Sequence, residues 1–349
     1  MKEYVHGGDI YSQEIELDFS ANINPFGLPE GVKKRIIEKI NTFSRYPDSQ
    51  SRVLRERLGE IWKVNPKSVI CGNGAADLVF QLAAALKPEN ALLAAPSFAE
   101  YEQALKAQGC KIQYLKLEEK EEFHLNWRQW ASKLEKGCQI AFLCNPNNPT
   151  GLTVPAEQIK EMARICRERK ILLVVDECFN GFLDDPKKNS VISLTENNPW
   201  IFVLRAFTKI YGMAGIRLGY GICANHKLLD QMEAIRQPWS VSGVAEEAGL
   251  AALEEKEYIE ASRKLIKEER EFLKIRLKAL GWKVWDSQAN YLFFQVPEDQ
   301  DELGKKLKEK KVLIRSCSNY YGLGPGYYRI CVKTRRENEQ LLKAVEEIL

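Results

Sequence analysis

Residues 203–217 read Val-Leu-Arg-Ala-Phe-Thr-Lys-Ile-Tyr-Gly-Met-Ala-Gly-Ile-Arg, an apolar run followed by Lys209 and, further on, by Arg217. Upstream, a second apolar run ends at Asp176, within the segment Val-Val-Asp-Glu at residues 174–177. Taken alone, Lys209 would be one more solvated cation among the 51 lysines and arginines of the chain. The surrounding segments therefore decide whether these charged residues form a site.

Short apolar runs alternate with amphipathic stretches between residues 65 and 225, which predicts an α/β architecture. Because the runs are almost continuously apolar, they are typical of strands buried on both faces, as in a mostly parallel sheet. The predicted strands are residues 91–95, 112–117, 140–144, 171–175, 201–204 and 218–222. Leucines at helical spacing predict a helix over residues 75–86, and Pro155 suits the first turn of a helix over 155–169.

The pattern changes after Pro238 to a long charged helix over residues 254–280 and then to short strands. The predicted strands are residues 290–296, 312–315 and 327–332, and a predicted helix over residues 337–349 follows them. We therefore predict two domains. One is a large α/β domain over residues 45–240, and the other is a smaller α+β domain built from residues 1–44 and 241–349.

Composition narrows the functional classes. The 349 residues are 45% hydrophobic and 28% charged, with a net charge of +3, as in an ordinary soluble globular protein. No basic block indicates nucleic-acid binding, and no apolar run approaches the roughly 18 residues that a membrane span needs. The N-terminal stretch lacks the apolar segment of a secretory signal. Nine cysteines without a CxxC pair, together with three histidines, favour reduced thiols in a cytoplasmic protein without a metal site.

Two loops at predicted strand ends are candidates for ligand binding. Residues 70–77, Ile-Cys-Gly-Asn-Gly-Ala-Ala-Asp, form a glycine-rich turn into a helix, where free N–H groups bind phosphate. The turn lacks the spacing of a dinucleotide site and of a P-loop, so a monophosphate fits better. Residues 145–151, Asn-Pro-Asn-Asn-Pro-Thr-Gly, follow a strand directly, where open α/β sheets place ligands. Turn chemistry alone would also explain either loop.

Pyridoxal phosphate requires an amine that forms an imine, a partner for its pyridine nitrogen and a ligand for its phosphate. A lysine, a strand-end carboxylate and a following arginine match these three requirements. In order and spacing, residues 145–151, Asp176, Lys209 and Arg217 resemble the fold-type I aminotransferase superfamily of pyridoxal phosphate enzymes. The resemblance implies an α/β fold with a mostly parallel central sheet flanked by helices, a smaller α+β domain, and pyridoxal 5'-phosphate as the cofactor.

The resemblance also implies roles for single residues. Lys209 would form the Schiff base, Asp176 would pair with the pyridinium nitrogen, and Asn148 with the ring hydroxyl oxygen. The other implied cofactor contacts are the amides of Gly74, Ala75 and Ala76, Thr208 and Arg217 at the phosphate, Phe98 stacked on the ring, and Tyr46 reaching the phosphate of a neighbouring subunit. Tyr46 therefore implies a homodimer with a shared active site.

Two residues depart from the family pattern. Phe179 stands where many relatives carry a tyrosine that hydrogen-bonds the ring oxygen. Ala206 replaces a frequent phosphate-binding hydroxyl. Each departure removes a hydrogen bond to the cofactor, so the cofactor affinity is in question more than the activity.

Further segments resemble one branch of this superfamily, the threonine-phosphate decarboxylases of cobalamin biosynthesis. They are His-Gly-Gly at residues 6–8, the run Leu-Asp-Phe-Ser-Ala-Asn-Ile-Asn-Pro at 17–25, and residues 237–241, 314–320 and 327–329. The implied reaction is decarboxylation of O-phospho-L-threonine to (R)-1-aminopropan-2-yl phosphate. Arg329 and Asn148 would clamp the substrate carboxylate, and the residues that would hold the substrate phosphate are His6, Gly7, Asn22 and Arg315.

Three alternatives stay open at this level. A histidinol-phosphate-type aminotransferase shares the core motifs but not the His-Gly-Gly start, and would act on a phosphorylated amino acid. Phosphoserine differs from phosphothreonine by one methyl group, worth only about 1–3 kcal/mol of discrimination in an apolar pocket. A regulator that binds the cofactor without turnover would carry a DNA-binding domain, for which only about 40 residues precede the core.

Overall fold

The structure, a computed structural model, describes residues 6–349. Residues 1–5, which belong to the predicted small domain and to the stretch inspected for a secretory signal, lie outside the described range. The strands are β1 (Leu17–Asp18), β2 (Val69–Gly72), β3 (Asn90–Ala95), β4 (Lys111–Lys116), β5 (Ile140–Cys144), β6 (Leu172–Asp176), β7 (Ile201–Ala206), β8 (Gly219–Ile222), β9 (Lys283–Val284), β10 (Tyr291–Gln295), β11 (Val312–Leu313), β12 (Arg315–Ser316) and β13 (Tyr327–Cys331). The α-helices are α1 (Glu30–Lys39), α2 (Arg52–Trp62), α3 (Ala75–Leu86), α4 (Ala99–Ala107), α5 (Trp127–Ser132), α6 (Ala156–Arg169), α7 (Pro186–Asn189), α8 (Phe207–Ile210), α9 (His226–Ile235), α10 (Gly243–Ala252), α11 (Lys256–Ala279), α12 (Leu303–Glu309) and α13 (Arg335–Glu346).

Seven strands form the central sheet in the order β2-β8-β7-β6-β5-β3-β4. β8 runs antiparallel to both of its neighbours, and the remaining strand pairs are parallel. The predicted mostly parallel sheet is therefore confirmed, and its five central strands are almost wholly buried, as their continuous apolar sequences indicate. β2 was missed as a strand because its four residues run into the glycine-rich turn.

The register of the parallel strands brings three loops to one edge of the sheet. Cys144, the last residue of β5, is paired with Asp176, which is in turn paired with Leu204 near the end of β7. The loops that follow these strands therefore emerge side by side. This is the edge at which open α/β sheets bind their ligands.

A four-stranded antiparallel sheet in the order β12-β13-β10-β9 and a parallel pair, β1 with β11, form the second part of the fold. The predicted single strand over residues 312–315 is wrong. The chain changes partner at Ile314, so that β11 pairs with β1 and β12 pairs with β13. A strand can hydrogen-bond only to the neighbours beside it, and here the two halves have different neighbours.

The division into domains over residues 45–240 and over 1–44 plus 241–349 stays a prediction. It is supported by the separation of the sheets, because the central sheet lies between Val69 and Ile222 and the four-stranded sheet between Lys283 and Cys331. Within residues 6–349, no helix has the length and apolar character to cross a bilayer.

Candidate active site

A cavity of about 230 Å³ lies at the carboxyl ends of the parallel strands and is closed on one side by residues of β12 and β13. The predicted site residues that line it are His6, Gly7, Asn22, Ala75, Ala76, Phe98, Asn148, Asp176, Thr208, Lys209, Arg217, Arg315 and Arg329. Residues separated by up to 323 positions, from His6 to Arg329, thus face one space. Gly74 lies behind this lining, and Tyr46 lies outside it.

Lys209 occupies the third position of α8, the single-turn helix that follows β7 without a loop. This connection points its side chain into the cavity. Burial lowers the pKa of the Lys209 amine below its ordinary value, and the positive charge of Arg329 acts in the same direction. An amine with a lowered pKa is more often unprotonated and is therefore a better nucleophile.

Asp176, the last residue of β6, is buried with only 5% of its surface exposed. Its Oδ2 accepts a hydrogen bond of 2.6 Å from the Tyr101 hydroxyl, and its Oδ1 accepts one of 2.9 Å from the backbone N–H of Cys178. Burial raises the pKa of Tyr101 well above its ordinary value, so this hydroxyl stays a donor. The carboxylate is therefore held in a fixed orientation at the strand end.

Glu177, which follows Asp176, anchors this strand end from the opposite side. Its Oε2 lies 2.7 Å from Arg205 Nη2, and it accepts further hydrogen bonds from the Ser190 hydroxyl and the Val191 N–H. Burial raises the pKa of Glu177, and the nearby Arg205 opposes that effect. Because both charges are buried, loss of either partner would leave an uncompensated charge, which costs about 3–5 kcal/mol.

The glycine-rich turn forms a cradle for an anion. α3 begins after Gly74, which has a φ of 85°. Because glycine has no side chain, it does not cap the first backbone N–H groups of the helix. A Cβ at Gly74 would lie 2.4 Å from Arg217 Nη2. The guanidinium thus packs on the turn at a position that only glycine allows, and places a positive charge beside the N-terminus of α3.

Gly219 of β8 supports this cradle from below, and it gives a test of the cradle. A Cβ at Gly219 would lie 2.4 Å from the backbone nitrogen of Ala75, so Gly219→Ala must displace the turn. Overpacking of this kind costs about 1–3 kcal/mol, and we expect the affinity for a phosphate-bearing cofactor to fall about tenfold. Titration of the apoprotein with the cofactor, followed by absorbance, would measure the change.

Gly215→Ala is the matched control for this experiment, since a Cβ at Gly215 meets nothing within 4 Å. It should bind the cofactor as the unaltered protein does. Equal affinities in the two variants would show that the position of the turn does not govern cofactor binding.

Arg329 of β13 is held rigidly at the opposite wall. It is 5% exposed, its Nη2 donates to the Ser20 carbonyl at 2.7 Å, and its Nη1 donates to Asn148 Oδ1. The Tyr320 hydroxyl donates to the same Asn148 oxygen at 3.4 Å. Arg329 Nε is buried and has no hydrogen-bond partner within the described range. None of these contacts is to a carboxylate, so an anionic ligand bound in the cavity would pair with this cation.

Arg315 of β12 lies next to the N-terminal segment in the same cavity, with 8% of its surface exposed. Its guanidinium donates to the Ser316 carbonyl at 2.7 Å and to Asn319 Oδ1 at 2.9 Å. His6 lies beside it, and burial followed by the charge of Arg315 lowers the pKa of the imidazole. Asn22 is 3% exposed, and its Oδ1 has no hydrogen-bond partner among residues 6–349. This end of the cavity therefore combines the positive charge of Arg315 with a buried amide oxygen, that of Asn22, that has no partner in the described range.

The structure places the two departures from the family pattern at the cavity wall. Phe179 packs edge-on against the Tyr291 ring, with the ring centroids 5.0 Å apart. Ala206, the last residue of β7, lines the cavity three positions before Lys209. Neither residue donates a hydrogen bond from its side chain, as expected from its chemistry.

The polar residues of the site that sequence reasoning missed include Ser20, Glu100, Tyr101 and Tyr320. Glu100 and Tyr101 lie two and three residues after Phe98, so the first turn of a helix that starts beside the site was the available signal. Tyr320 lay within a segment already noted for its resemblance, but no pattern indicated that it would reach Asn148.

The fold and the site together define a fold-type I enzyme. The model of the family "Aminotransferase class I and II" matches residues 14–347, and the chain belongs to this family. It is 38% identical over 348 residues to a "Putative threonine-phosphate decarboxylase" of Caldanaerobacter subterraneus subsp. tengcongensis. That match covers 99% of this chain and 94% of the relative. It is 35% identical over 353 residues to the "Threonine-phosphate decarboxylase" of Salmonella typhimurium, with 99% and 96% coverage.

A crystal structure of the histidinol-phosphate aminotransferase from Clostridium acetobutylicum superimposes with a TM-score of 0.89 at 30% sequence identity, and covers 95% of this chain and 98% of that one. The resemblance to fold-type I enzymes and the predicted fold class are thereby confirmed. Both the decarboxylases and this aminotransferase share the whole length of the fold, so the choice between their reactions depends on the site.

Proposed function

We propose that this chain catalyses the pyridoxal 5'-phosphate-dependent decarboxylation of O-phospho-L-threonine to (R)-1-aminopropan-2-yl phosphate. The full-length relatives named threonine-phosphate decarboxylase support this choice. The observation that carries it is the pair of buried arginines, Arg315 and Arg329, in the same cavity as Lys209. A substrate with one carboxylate and one phosphate offers an anion to each arginine.

The residues present fit the cofactor. The uncapped start of α3 with Arg217 against Gly74 suits its phosphate, together with Ala75, Ala76 and Thr208 at the cavity wall. Lys209 would hold the cofactor covalently through its amine, and Phe98 would cover one face of its ring. Asp176, fixed by Tyr101, would hold the proton on the ring nitrogen. Asn148 would contact the ring hydroxyl oxygen.

When bound, the cofactor supplies an electron-accepting ring that stabilises negative charge at the substrate Cα. Which bond at Cα is broken would depend on how the residues that bind the two ends of the substrate orient it. Arg329, fixed by Asn148 and Ser20, would hold the carboxylate at one end of the substrate. The substrate phosphate would bind at the other end to His6, Gly7, Asn22 and Arg315. Lys209 would then deliver a proton to Cα.

The alternative reaction is transamination by a histidinol-phosphate-type aminotransferase, which the structural similarity to such an enzyme supports. It would use the same Lys209 and Asp176 but would move the proton from Cα instead of releasing the carboxylate. The separate arginine sites for two anions favour a phosphorylated amino acid in either case.

Incubation of the holoenzyme with O-phospho-L-threonine distinguishes the two reactions. We expect carbon dioxide in an amount equal to the amine product, with no requirement for a 2-oxo acid. Formation of a keto acid only when a 2-oxo acid is added, without gas release, would assign the aminotransferase reaction instead. Phosphoserine in the same assay should react about 10- to 200-fold less efficiently, if the pocket contacts the missing methyl group.

We further propose a homodimer with a shared active site. Tyr46 is 80% exposed and stacks on the exposed Trp239 ring at 4.4 Å, outside the cavity of its own subunit. Exposed apolar residues on α1 and α2, among them Ile37 and Val53, support a covered surface nearby. A monomer seen by analytical ultracentrifugation at assay concentrations would exclude this arrangement.

We propose that the enzyme acts in the cytoplasm and that its product serves cobalamin assembly. All nine cysteines are free and most of them are buried, which is typical of reducing compartments. The pathway rests on the likeness to decarboxylases of that pathway. Complementation of a cobalamin-requiring strain that lacks this decarboxylase would test the pathway, and growth only with added product would contradict it.

A further inference from the structure

Glu100 has a carboxylate side chain that lines the cavity, but the sequence predicted no role for this residue. It lies in the first turn of α4, two residues after Phe98, and its side chain is only 13% exposed. Its Oε1 lies 3.3 Å from His6 Nδ1. Its Oε2 is buried and has no hydrogen-bond partner within residues 6–349. An ionised carboxylate would leave this oxygen charged and unsatisfied, which is costly in a buried position.

The charges that face Glu100 come from every wall of the cavity. His6 on the N-terminal segment, Lys209 on α8 and Arg315 on β12 are basic, whereas Asp176 on β6 is acidic. Burial, the largest effect, raises the pKa of Glu100 to about 7, while its own backbone N–H, Lys209 and Arg315 oppose the rise and Asp176 adds to it. Near neutral pH this side chain is therefore divided between its neutral and ionised forms.

We propose that Glu100 determines specificity for the phosphate end of the substrate, and that it does so as a neutral carboxylic acid that donates a hydrogen bond to a phosphate oxygen. This inference rests on the proposed function, since it takes the group bound beside His6 and Arg315 to be a phosphate. A phosphate has only acceptor oxygens when doubly ionised, so an ionised carboxylate beside it would repel it.

Substrate binding is then linked to one proton. Above the pKa of Glu100, the ionised carboxylate takes up a proton from solvent as the phosphate dianion enters, and releases it when the phosphate leaves. The proton adds to the carboxylate oxygen and no covalent bond to the substrate forms. Affinity for the phosphate therefore falls as the pH rises above about 7, by about tenfold per pH unit for a single proton.

The test compares the holoenzyme with Glu100→Gln, whose amide donates a hydrogen bond at every pH. For O-phospho-L-threonine between about pH 6 and 9, the unaltered enzyme should lose kcat/KM through a rising KM. Glu100→Gln should lack this rise in KM. The ratio of the KM of the unaltered enzyme to the KM of the variant should therefore change about tenfold per pH unit above the pKa of Glu100. Parallel profiles for the two proteins would overturn the proposal.

A second measurement does not depend on turnover. Calorimetric titration with inorganic phosphate at about pH 8, in two buffers of different ionisation enthalpy, counts the protons taken up on binding. We expect the unaltered holoenzyme to take up more protons than Glu100→Gln, with a difference approaching one. Equal proton uptake would contradict the role of Glu100. Absence of carbon dioxide from phosphothreonine with a normal difference in proton uptake would instead contradict only the proposed reaction.

Glu157→Gln is the matched control, because Glu157 also lies in the first turn of a helix, α6, but is exposed and does not line the cavity. It should reproduce the unaltered profile and proton count. Folding of Glu100→Gln is not expected to suffer. Since the pKa of Glu100 is raised in the folded state, its contribution to stability falls as the pH rises from about 4.5 to about 7. The glutamine variant avoids that fall and should melt no lower than the unaltered protein at pH 8.

Discussion

Lys209→Ala is expected to lower kcat for decarboxylation by at least about 10³-fold, because it removes both the covalent attachment of the cofactor and the group that moves a proton at Cα. The structure gives the physical reason for choosing this lysine. It lies three residues after the end of β7, its amine has a lowered pKa, and it shares the cavity with Asp176 and Arg217.

The covalent role of Lys209 can be measured independently of activity. Borohydride reduction of the holoenzyme followed by mass spectrometry should place the mass of the cofactor on the peptide that contains Lys209, and the alanine variant should show no such mass. Lys227→Ala, which alters an exposed lysine of α9, is the control and should keep both the mass and the activity. A Lys209→Ala protein with full activity would contradict every enzymatic function considered for this chain.

Arg329→Met is expected to lower kcat/KM for O-phospho-L-threonine by about 30- to 1,000-fold, equivalent to about 2–4 kcal/mol. Arg329 is buried and fixed by Ser20 and Asn148, yet its Nε has no partner among the described residues. Methionine keeps much of the apolar stem but removes the charge and the fork that would bind the substrate carboxylate. Arg329→Lys should recover only part of the loss, because an ammonium cannot donate in the same bidentate geometry.

Arg276→Met is the control for this substitution, since Arg276 forms an exposed pair with Glu346 far along α11. A surface pair of this kind contributes only about 0–1 kcal/mol, so activity and melting temperature should change little. If Arg329→Met bound and turned over the substrate as well as this control, the carboxylate of the substrate would have another partner.

Much of the cofactor end of the site could be predicted from the sequence. Most of its residues lie in short motifs at the end of a buried strand, as Asp176 and Lys209 do, whereas Arg217 precedes β8. Parallel strands bring such ends to one edge of a sheet. The apolar runs themselves located β3, β5, β6 and β7, but not β2 before the glycine-rich turn. The position of the cofactor residues is thus a consequence of local sequence patterns combined with a general rule of sheet geometry.

The residues at the substrate end of the site could be predicted only from the family resemblance. Arg315 and Arg329 belong to strands that pair with each other in antiparallel register, and residue 19 reaches β13 through a hydrogen bond from Cys331 to the Phe19 carbonyl. No periodicity in the sequence indicates contacts between segments so far apart. The error over residues 312–315 has the same origin, since the change of partner at Ile314 depends on β1.

The sequence by itself predicted an α/β fold, strand ends at Lys209 and Asp176, and a turn before α3 that is suited to an anion. Only the tertiary structure decided that Arg329 is held by Asn148 and Ser20 while its Nε has no partner among residues 6–349, that Arg217 packs on Gly74, and that Glu100 faces His6 and Arg315. The physical reason is that strand ends follow from local apolar patterns, whereas the burial and charge around a side chain depend on every segment that packs against it.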